Sequence, residues 1–185
     1  MRVAVLCEFS GVLSDAFENR GIEAHSFDLL DTERKKGLHF KSDILKFPRS
    51  WWSEYDLIVA HPPCTYLAVS GARWFAERPE KQLEALSFVR YLMNLPVDKI
   101  AIENPVSVIS TKIRKPDQII QPWQFGHGET KATCLWLKGL PKLRPTEIVE
   151  GREKRIHNLP PSQDRWKERS RTFAGIAEAM ADQWS

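Results

Sequence analysis

A thiol and a carboxylate stand at the ends of two apolar runs in this chain. Tyr55-Asp-Leu-Ile-Val-Ala60 passes through His61 into Pro62-Pro63-Cys64, and Lys99-Ile-Ala-Ile102 passes into Glu103-Asn104-Pro105, with the glutamate 39 positions after the cysteine. Each run has the composition of a buried strand, so each sets a reactive group where a strand gives way to a turn. In open α/β sheets ligands collect beyond the carboxyl ends of the strands. A nucleophile and a proton donor placed there point to covalent catalysis. A free thiol is mostly protonated at neutral pH and needs electropositive surroundings or a helix N-terminus to react. Pro62 and Pro63 fix the backbone ahead of the thiol and remove two donors. His61 and Thr65 flank the thiol and are placed to tune it.

A second turn with chemical content lies near the start. Phe9-Ser10-Gly11 falls between the first strand pattern and the first helix pattern, where Rossmann-like domains bind a nucleotide-like cofactor. Gly11 allows close approach of a ligand to the backbone. Asp28 follows about twenty residues later, at the end of the second strand pattern, where an acidic residue meets ribose hydroxyls. The full G-x-G-x-x-G is absent, with Leu13 and Ser14 in the next positions, which disfavours a dinucleotide and leaves a plain structural turn as the other reading.

The elements that must position these groups alternate between strand and helix. Strand patterns cover Arg2–Cys7, Glu23–Phe27, Asp56–Ala60, Lys99–Ile102 and Thr133–Leu137, the last ended by Gly139 and Pro141. Ser42-Asp43-Ile44 either closes a further strand, third in order, or begins a turn, after a polar basic loop over Arg34–Lys41. Helices are expected over Val12–Arg20, stopped by Gly21, and over Pro79–Asn94, with an apolar stripe of Leu83, Leu86, Val89, Leu92 and Met93. An amphipathic closing helix is expected over Ala174–Trp184. Lys142–Lys167, with Pro145, Pro160 and Pro161, reads as the insertion or mobile region. The alternation predicts a doubly wound α/β domain, and 185 residues suffice for one such domain but not comfortably for two.

Net charge is only +3, but it is uneven: Lys138–Arg171 holds ten Lys/Arg against five Asp/Glu, so the rest of the chain is net acidic. That segment suits a phosphate-bearing partner, or equally a solvated surface. No apolar run approaches a membrane span, and Met1–Cys7 is too short for a secretory signal. Three cysteines without paired spacing suggest neither a disulfide framework nor a zinc site, and a reducing, cytoplasmic home is expected. Cys7 and Cys134, inside strand patterns, read as small buried hydrophobes. Trp51 and Trp52 read as packing residues, while Trp74-Phe75 and Trp123 either stack on a base or pack. His127 and His157 read as structural, and no metal is expected.

Taken together, these motifs resemble those of the cytosine-C5 DNA methyltransferase family. Phe9-Ser10-Gly11 with Ala16-Phe17, Gly21 and Glu23 is similar to its first motif, Asp43-Ile44 to its short adenine-side motif, Pro62-Pro63-Cys64 with the later Ser70-Gly71 to its catalytic motif, and Glu103-Asn104 to its Glu-Asn motif. Arg171–Trp184 is a looser match to its closing motif. The resemblance implies a class-I S-adenosylmethionine-dependent methyltransferase fold (Rossmann-like), a largely parallel sheet flanked by helices with its last strand antiparallel. It implies S-adenosyl-L-methionine as cofactor, held by Phe9, Ser10, Gly11, Asp28, Leu29, Asp43, Ile44 and Pro62. It implies that Cys64 adds to carbon 6 of cytosine so that carbon 5 can take a methyl group. Glu103 would hydrogen-bond N3 and the exocyclic amine, protonated if its pKa is raised, while Asn104 braces the loop or the cofactor side and Pro63 completes the catalytic set. Ser70, Gly71, Lys131, Arg152, Arg155 and Lys167 would face DNA, the expected partner.

The departures shape the rest of the expectation. Thr65 stands where the family has Gln, Pro105 follows Glu-Asn, and the Gln-x-Arg-x-Arg motif is missing, with Gln124 and Lys131 as stand-ins. The basic segment 139–170 replaces a target-recognition domain within a single domain of residues 1–185. Such a form would read DNA with short or relaxed specificity, form a homodimer that completes the groove, or act on a nucleotide or an RNA. The alternatives are a catalytically idle module that binds cofactor or nucleic acid, and an amino-group methyltransferase, whose polar-Pro-Pro-aromatic motif His61 and Cys64 do not supply.

Overall fold

The computed structural model describes the backbone of residues 1–185 and all side chains except those of residues 73–76, so the stacking role considered for Trp74-Phe75 lies outside the described side chains. Seven strands form one sheet: β1 (Arg2–Leu6), β2 (Glu23–Asp28), β3 (His39–Lys41), β4 (Leu57–Ala60), β5 (Lys99–Pro105), β6 (Gln118–Ile120) and β7 (Thr133–Lys138), in the spatial order β3-β2-β1-β4-β5-β7-β6. The first five run parallel, and β7 runs antiparallel to both β5 and β6. The chain winds outward from β1 in one direction and from β4 in the other. The crevice at their carboxyl ends is therefore the switch point at which such sheets bind ligands. His61 N–H donates to the Leu6 carbonyl at 2.9 Å there, which brings the two candidate turns side by side.

The strands are apolar on both faces, as a helix-covered parallel sheet requires. Val3, Val5, Leu57 and Val59 pack with α1 (Val12–Glu18) and the closing helix over Ala174–Gln183 on one face. Ala4, Leu6, Ile58 and Ala60 pack on the other face with Leu86, Val89 and Leu92 of α2 (Pro79–Met93). Leu83, counted in the apolar stripe, is exposed and belongs to neither cluster. Phe27, Phe40, Phe47, Trp51, Trp52 and Tyr55 form a contiguous aromatic group beneath β2 and β4, with Trp52 fully buried. Both tryptophans are thus packing residues.

The structure corrects the expected elements in several places. β3 occupies the end of the expected loop, and Ser42-Asp43-Ile44 is a turn: the Asp43 carboxylate accepts from Leu45 N–H at 2.9 Å and starts a 3₁₀ turn over Ile44–Lys46. β6 was not expected; three residues at a sheet edge, with Ile119 exposed, carry no periodic signal. β5 runs on through Glu103 and Asn104, because β7 pairs with it as far as Pro105↔Thr133. The carboxylate therefore sits within a strand and not at its end. Cys7 lies just past β1 with a left-handed φ of 58°, partly exposed, whereas Cys134 is buried as expected. The proline-rich stretch contains α4 (Arg155–Asn158) and the start of α5 (Arg165–Ser170), after a short α3 (Ile109–Lys112); the closing helix is α6. No described helix is long and apolar enough to cross a membrane.

Candidate active site

Cys64 follows β4 directly, in a loop bonded along its length to the segment after β5. Its carbonyl accepts from Leu67 and Ala68 N–H at 3.0 and 2.8 Å, closing a turn around the thiol. Val69 N–H donates to the Val106 carbonyl and Val108 N–H to the Leu67 carbonyl, with an antiparallel bridge between Ala68 and Ser107. Asn104, buried beside them, donates from Nδ2 to the Pro62 carbonyl at 2.8 Å. This bond ties β5 to the backbone ahead of the thiol. Ser70 and Gly71 follow in a 3₁₀ helix over Val69–Glu77, with Gly71 N–H bonded to the Ala68 carbonyl.

Glu103 Oε2 lies 2.7 Å from His61 Nδ1, and both side chains are about nine-tenths buried. Burial alone would raise the glutamate's pKa, but the hydrogen bond and charge of His61, with Lys131, outweigh it and hold Glu103 below its usual range. Burial alone would lower that of His61, but the Glu103 bond and the charges of Glu103 and Glu8 raise it. Both shifts favour the arrangement in which His61 carries the proton and Glu103 the charge. A histidine within hydrogen-bond reach of the carboxylate thus works against the raised pKa that a protonated Glu103 would need.

The Cys64 thiol is solvent-accessible, yet surrounding protein desolvates it and, with the Glu103 charge, raises its pKa. Arg169 and Lys131 oppose that rise. Lys131, one of the two stand-ins for the missing arginine motif, therefore acts on the thiol, on Glu103 and on His61. Gln124, the other stand-in, serves the backbone: its Oε1 accepts from Gln121 N–H at 2.8 Å and closes a cap on a 3₁₀ turn. Arg169 lies in the basic segment 139–170 and is absent from the residues expected at the site. Its only sequence signal was membership of a basic segment.

A cavity of about 720 Å³ opens beside the thiol loop, lined by Cys7, Asp28, Leu29, Asp43, Ile44 and Pro63. Its outer wall is α2, through Lys81, Glu84, Ala85, Ser87, Phe88 and Tyr91. The structure thus gathers four of the residues named for a cofactor, together with Pro63. The α2 residues were missed because only the buried stripe of that helix was read; Phe88 and Tyr91, three apart and off that stripe, were the available signal. Asp28 is turned by the Leu30 amide, and burial raises its pKa against the opposing Leu30 and Leu29 amides.

Phe9, Ser10, Gly11 and Pro62 do not line this cavity. Phe9 is buried beneath Trp166 of α5, ring centroids 5.8 Å apart, with the Arg171 guanidinium 5.6 Å from its ring. Arg171 is anchored to both oxygens of Glu33, and Lys131 Nζ donates to the Arg171 carbonyl at 3.2 Å. Gly11 has φ 76°, and a Cβ there would collide with the buried Arg34 side chain, which binds Asp15 and Glu18. A glycine is needed at this turn for packing as well as for conformation. Beneath it, the fully buried Glu8 accepts from Leu13 N–H at 2.7 Å, from Ser14 N–H at 3.3 Å and from the Ser14 hydroxyl.

The other basic residues are engaged within the chain. Arg152 stacks over Trp123 at 4.0 Å, Arg155 pairs with Glu129 at 3.0 Å, and Lys167 pairs with Asp164 at 3.4 Å. His127 accepts from Gly175 N–H at 3.0 Å and packs on Phe173, a structural role, while His157 is exposed. Among the described residues no cluster of His, Cys, Asp or Glu is arranged to hold a metal.

The sequence matches no protein-family model and no curated protein. Solved structures do match. An E. coli protein described as a candidate DNA modification methyltransferase encoded within a prophage aligns over 87% of this chain and 55% of its own, with a TM-score of 0.55 and 15% identity. A mutant of DNMT2 from Spodoptera frugiperda aligns over 81% of this chain and 57% of its own (TM-score 0.53, 14% identity). The Dnmt2 methyltransferase of S. pombe aligns over 84% and 53% (TM-score 0.51, 20% identity). This chain thus spans little more than half the length of each. The likeness is one of fold, and with the 3-2-1-4-5-7-6 sheet it defines the Rossmann-like fold of class-I S-adenosylmethionine-dependent methyltransferases.

Proposed function

We propose that this protein transfers a methyl group from S-adenosylmethionine to carbon 5 of cytosine in DNA, through a covalent adduct of Cys64. The observation that carries this reading is the bonded unit of the Cys64 loop and the Glu103 strand, set against a cavity suited to the cofactor. The cavity fits: an apolar wall with Phe88 and Tyr91 can receive a purine, and the Asp28 and Asp43 carboxylates at its rim can receive hydroxyl and amine donors. Residues 1–185 act as one catalytic domain, with 139–170 as the basic face toward the nucleic acid. Two of the three neighbours are named as methyltransferases, one of them of DNA modification, which agrees with this reading.

The bound cofactor supplies an electrophilic methyl group. The protein's own residues prepare the base to attack it. Cys64, once deprotonated, adds to carbon 6 and turns carbon 5 into a nucleophile. Burial and the Glu103 charge raise the pKa of the thiol, and Arg169 and Lys131 oppose that rise and favour the thiolate as it forms. Glu103, level with Leu135 in the sheet, faces the base through its carboxylate, and Asn104 holds the Pro62 backbone so that thiol and carboxylate keep their spacing. A cytosine in a duplex must swing out of the stack to meet them.

The test is covalent trapping. The protein and S-adenosylmethionine are incubated with DNA carrying 5-fluorocytosine, whose fluorine cannot leave as a proton does. The expected result is a denaturation-resistant adduct, seen by intact mass, that is lost in Cys64→Ala. No adduct on any cytosine-containing DNA, with cofactor binding intact, overturns the DNA reading in favour of an RNA or nucleotide substrate or an idle binding module.

A further inference from the structure

Resting on that reading, the ion pair at the site sets a difficulty. As the thiolate adds to carbon 6, the electron pair displaced from the ring accumulates on N3, which must take a proton. An ionised Glu103 has none to give. The structure offers one group in line behind it: the imidazole of His61, Nδ1 at 2.7 Å from Glu103 Oε2. The two residues are 42 positions apart and come from neighbouring strands, so their contact is a product of the sheet and not of local sequence.

We propose that His61 is the proton store for Glu103, passing a proton through the carboxylate to the cytosine N3 and taking it back. The step balances. The carbon 6–sulfur bond forms, the carbon 5–carbon 6 π pair shifts toward N3, and one proton moves from His61 Nδ1 to Glu103 Oε2 and on to N3. His61 is left neutral and Glu103 again ionised. After methyl transfer the carbon 5 proton leaves to solvent water, its electron pair re-forms the carbon 5–carbon 6 double bond as the carbon 6–sulfur bond breaks to release the thiolate, and the proton on N3 returns to His61 by way of Glu103. His61 touches the carboxylate and not the base, so it is a positioning and proton-holding residue. Its other nitrogen, Nε2, is buried with no hydrogen-bond partner among the described residues, and it keeps the second ring proton when Nδ1 gives up its own. The charged groups that face the imidazole are Glu8 after β1, Asp28 at the end of β2, Glu103 on β5 and Lys131 before β7. The Glu103 hydrogen bond and the charges of Glu103 and Glu8 favour a protonated ring, and Lys131 opposes it.

Two measurements test this, one of them independent of turnover. Histidine NMR titration of the cofactor-bound protein should show His61 titrating above the ordinary value of 6.5, and below its wild-type value in Glu103→Gln. A His61 that titrates at or below 6.5, or is unmoved in Glu103→Gln, overturns the proposal whatever the activity. In His61→Asn the amide nitrogen can take the place of Nδ1 and keep Glu103 oriented without a titrating proton. Its rate of adduct formation on 5-fluorocytosine DNA should fall roughly 100-fold or more, the scale of general acid catalysis. The descending alkaline limb of its pH profile should also move to lower pH. A packing role would lower stability and leave that limb in place, and a His61→Asn rate within a few-fold of wild type with an unmoved limb overturns the proposal. Failure of wild type itself to form any adduct overturns the methyl-transfer reading, and the proton route to N3 with it, while the NMR coupling of His61 to Glu103 would stand or fall separately.

Discussion

Two buried glutamates flank His61, and they have opposite fates. Glu8 accepts three hydrogen bonds from neutral donors at the start of α1, and burial wins: its pKa is raised, against the lowering effects of Ser14, His61 and Leu13. Glu103 has fewer hydrogen bonds, but its partner can carry a full positive charge, and its pKa is lowered despite equal burial. Neutral amides and hydroxyls satisfy a carboxylate's geometry without cancelling the cost of its charge, whereas an imidazolium does both. One glutamate is thus a fastener for the start of α1, and the other is held toward its charged form at the site.

The largest way to break this contrast is Glu103→Gln, which leaves His61 facing an amide. Adduct formation on 5-fluorocytosine DNA should fall roughly 100-fold or more, with a urea midpoint close to wild type, because an imidazole freed of its partner can shed its proton. Glu8→Ala should do the reverse. Two amides at the start of α1 lose their acceptor, at roughly 1–3 kcal/mol each, so unfolding in urea should show a loss of about 3 kcal/mol while His61 still titrates high. Ser14→Ala removes one donor to Glu8 and should cost about 1 kcal/mol by the same assay.

The smallest effect is the dependence of stability on pH, and its sign differs for each group. Glu8, raised in the folded state, contributes stability that is present below its ordinary 4.5 and lost as pH rises through its folded value. Glu103, lowered, contributes stability present above 4.5 and lost as pH falls through its folded value. His61, raised, contributes below 6.5 and loses that contribution as pH rises through its folded value. Urea midpoints measured from pH 6 to 9 should therefore decline more steeply for wild type than for His61→Asn, and equal slopes would sink the assignment.

Much of the molecule is legible in its sequence. The apolar runs ending at Ala60 and Ile102, the Pro-Pro-Cys turn and the order of elements are enough to expect the sheet and the meeting of the Cys64 loop with the Glu103 strand. The acidic residues Asp28 and Asp43, both named from sequence, line one cavity. What escaped had no local signal. β3 and β6 are three residues each, too short for a period, and their existence depends on a neighbour's free edge. The extension of β5 through Glu103 is set by β7, about thirty positions on. The ionisation of Glu103 depends on a histidine brought near by strand order, and that of Glu8 on helix amides that exist only once α1 has formed. Spacing can say that two groups share a site, but their protonation is decided by third parties from other strands.

The wall beside the thiol has a consequence in time. Arg171 closes on Glu33 across 138 residues of chain, and Lys131 reaches the Arg171 carbonyl across 40. Contacts of such separation form late, and a chain emerging from the ribosome begins with its N-terminal elements. Cys64 and its strand can therefore be in place well before Arg169 arrives to favour the thiolate. Until that last stretch docks, the nucleophile stands in its loop without the guanidinium that opposes the rise of its pKa.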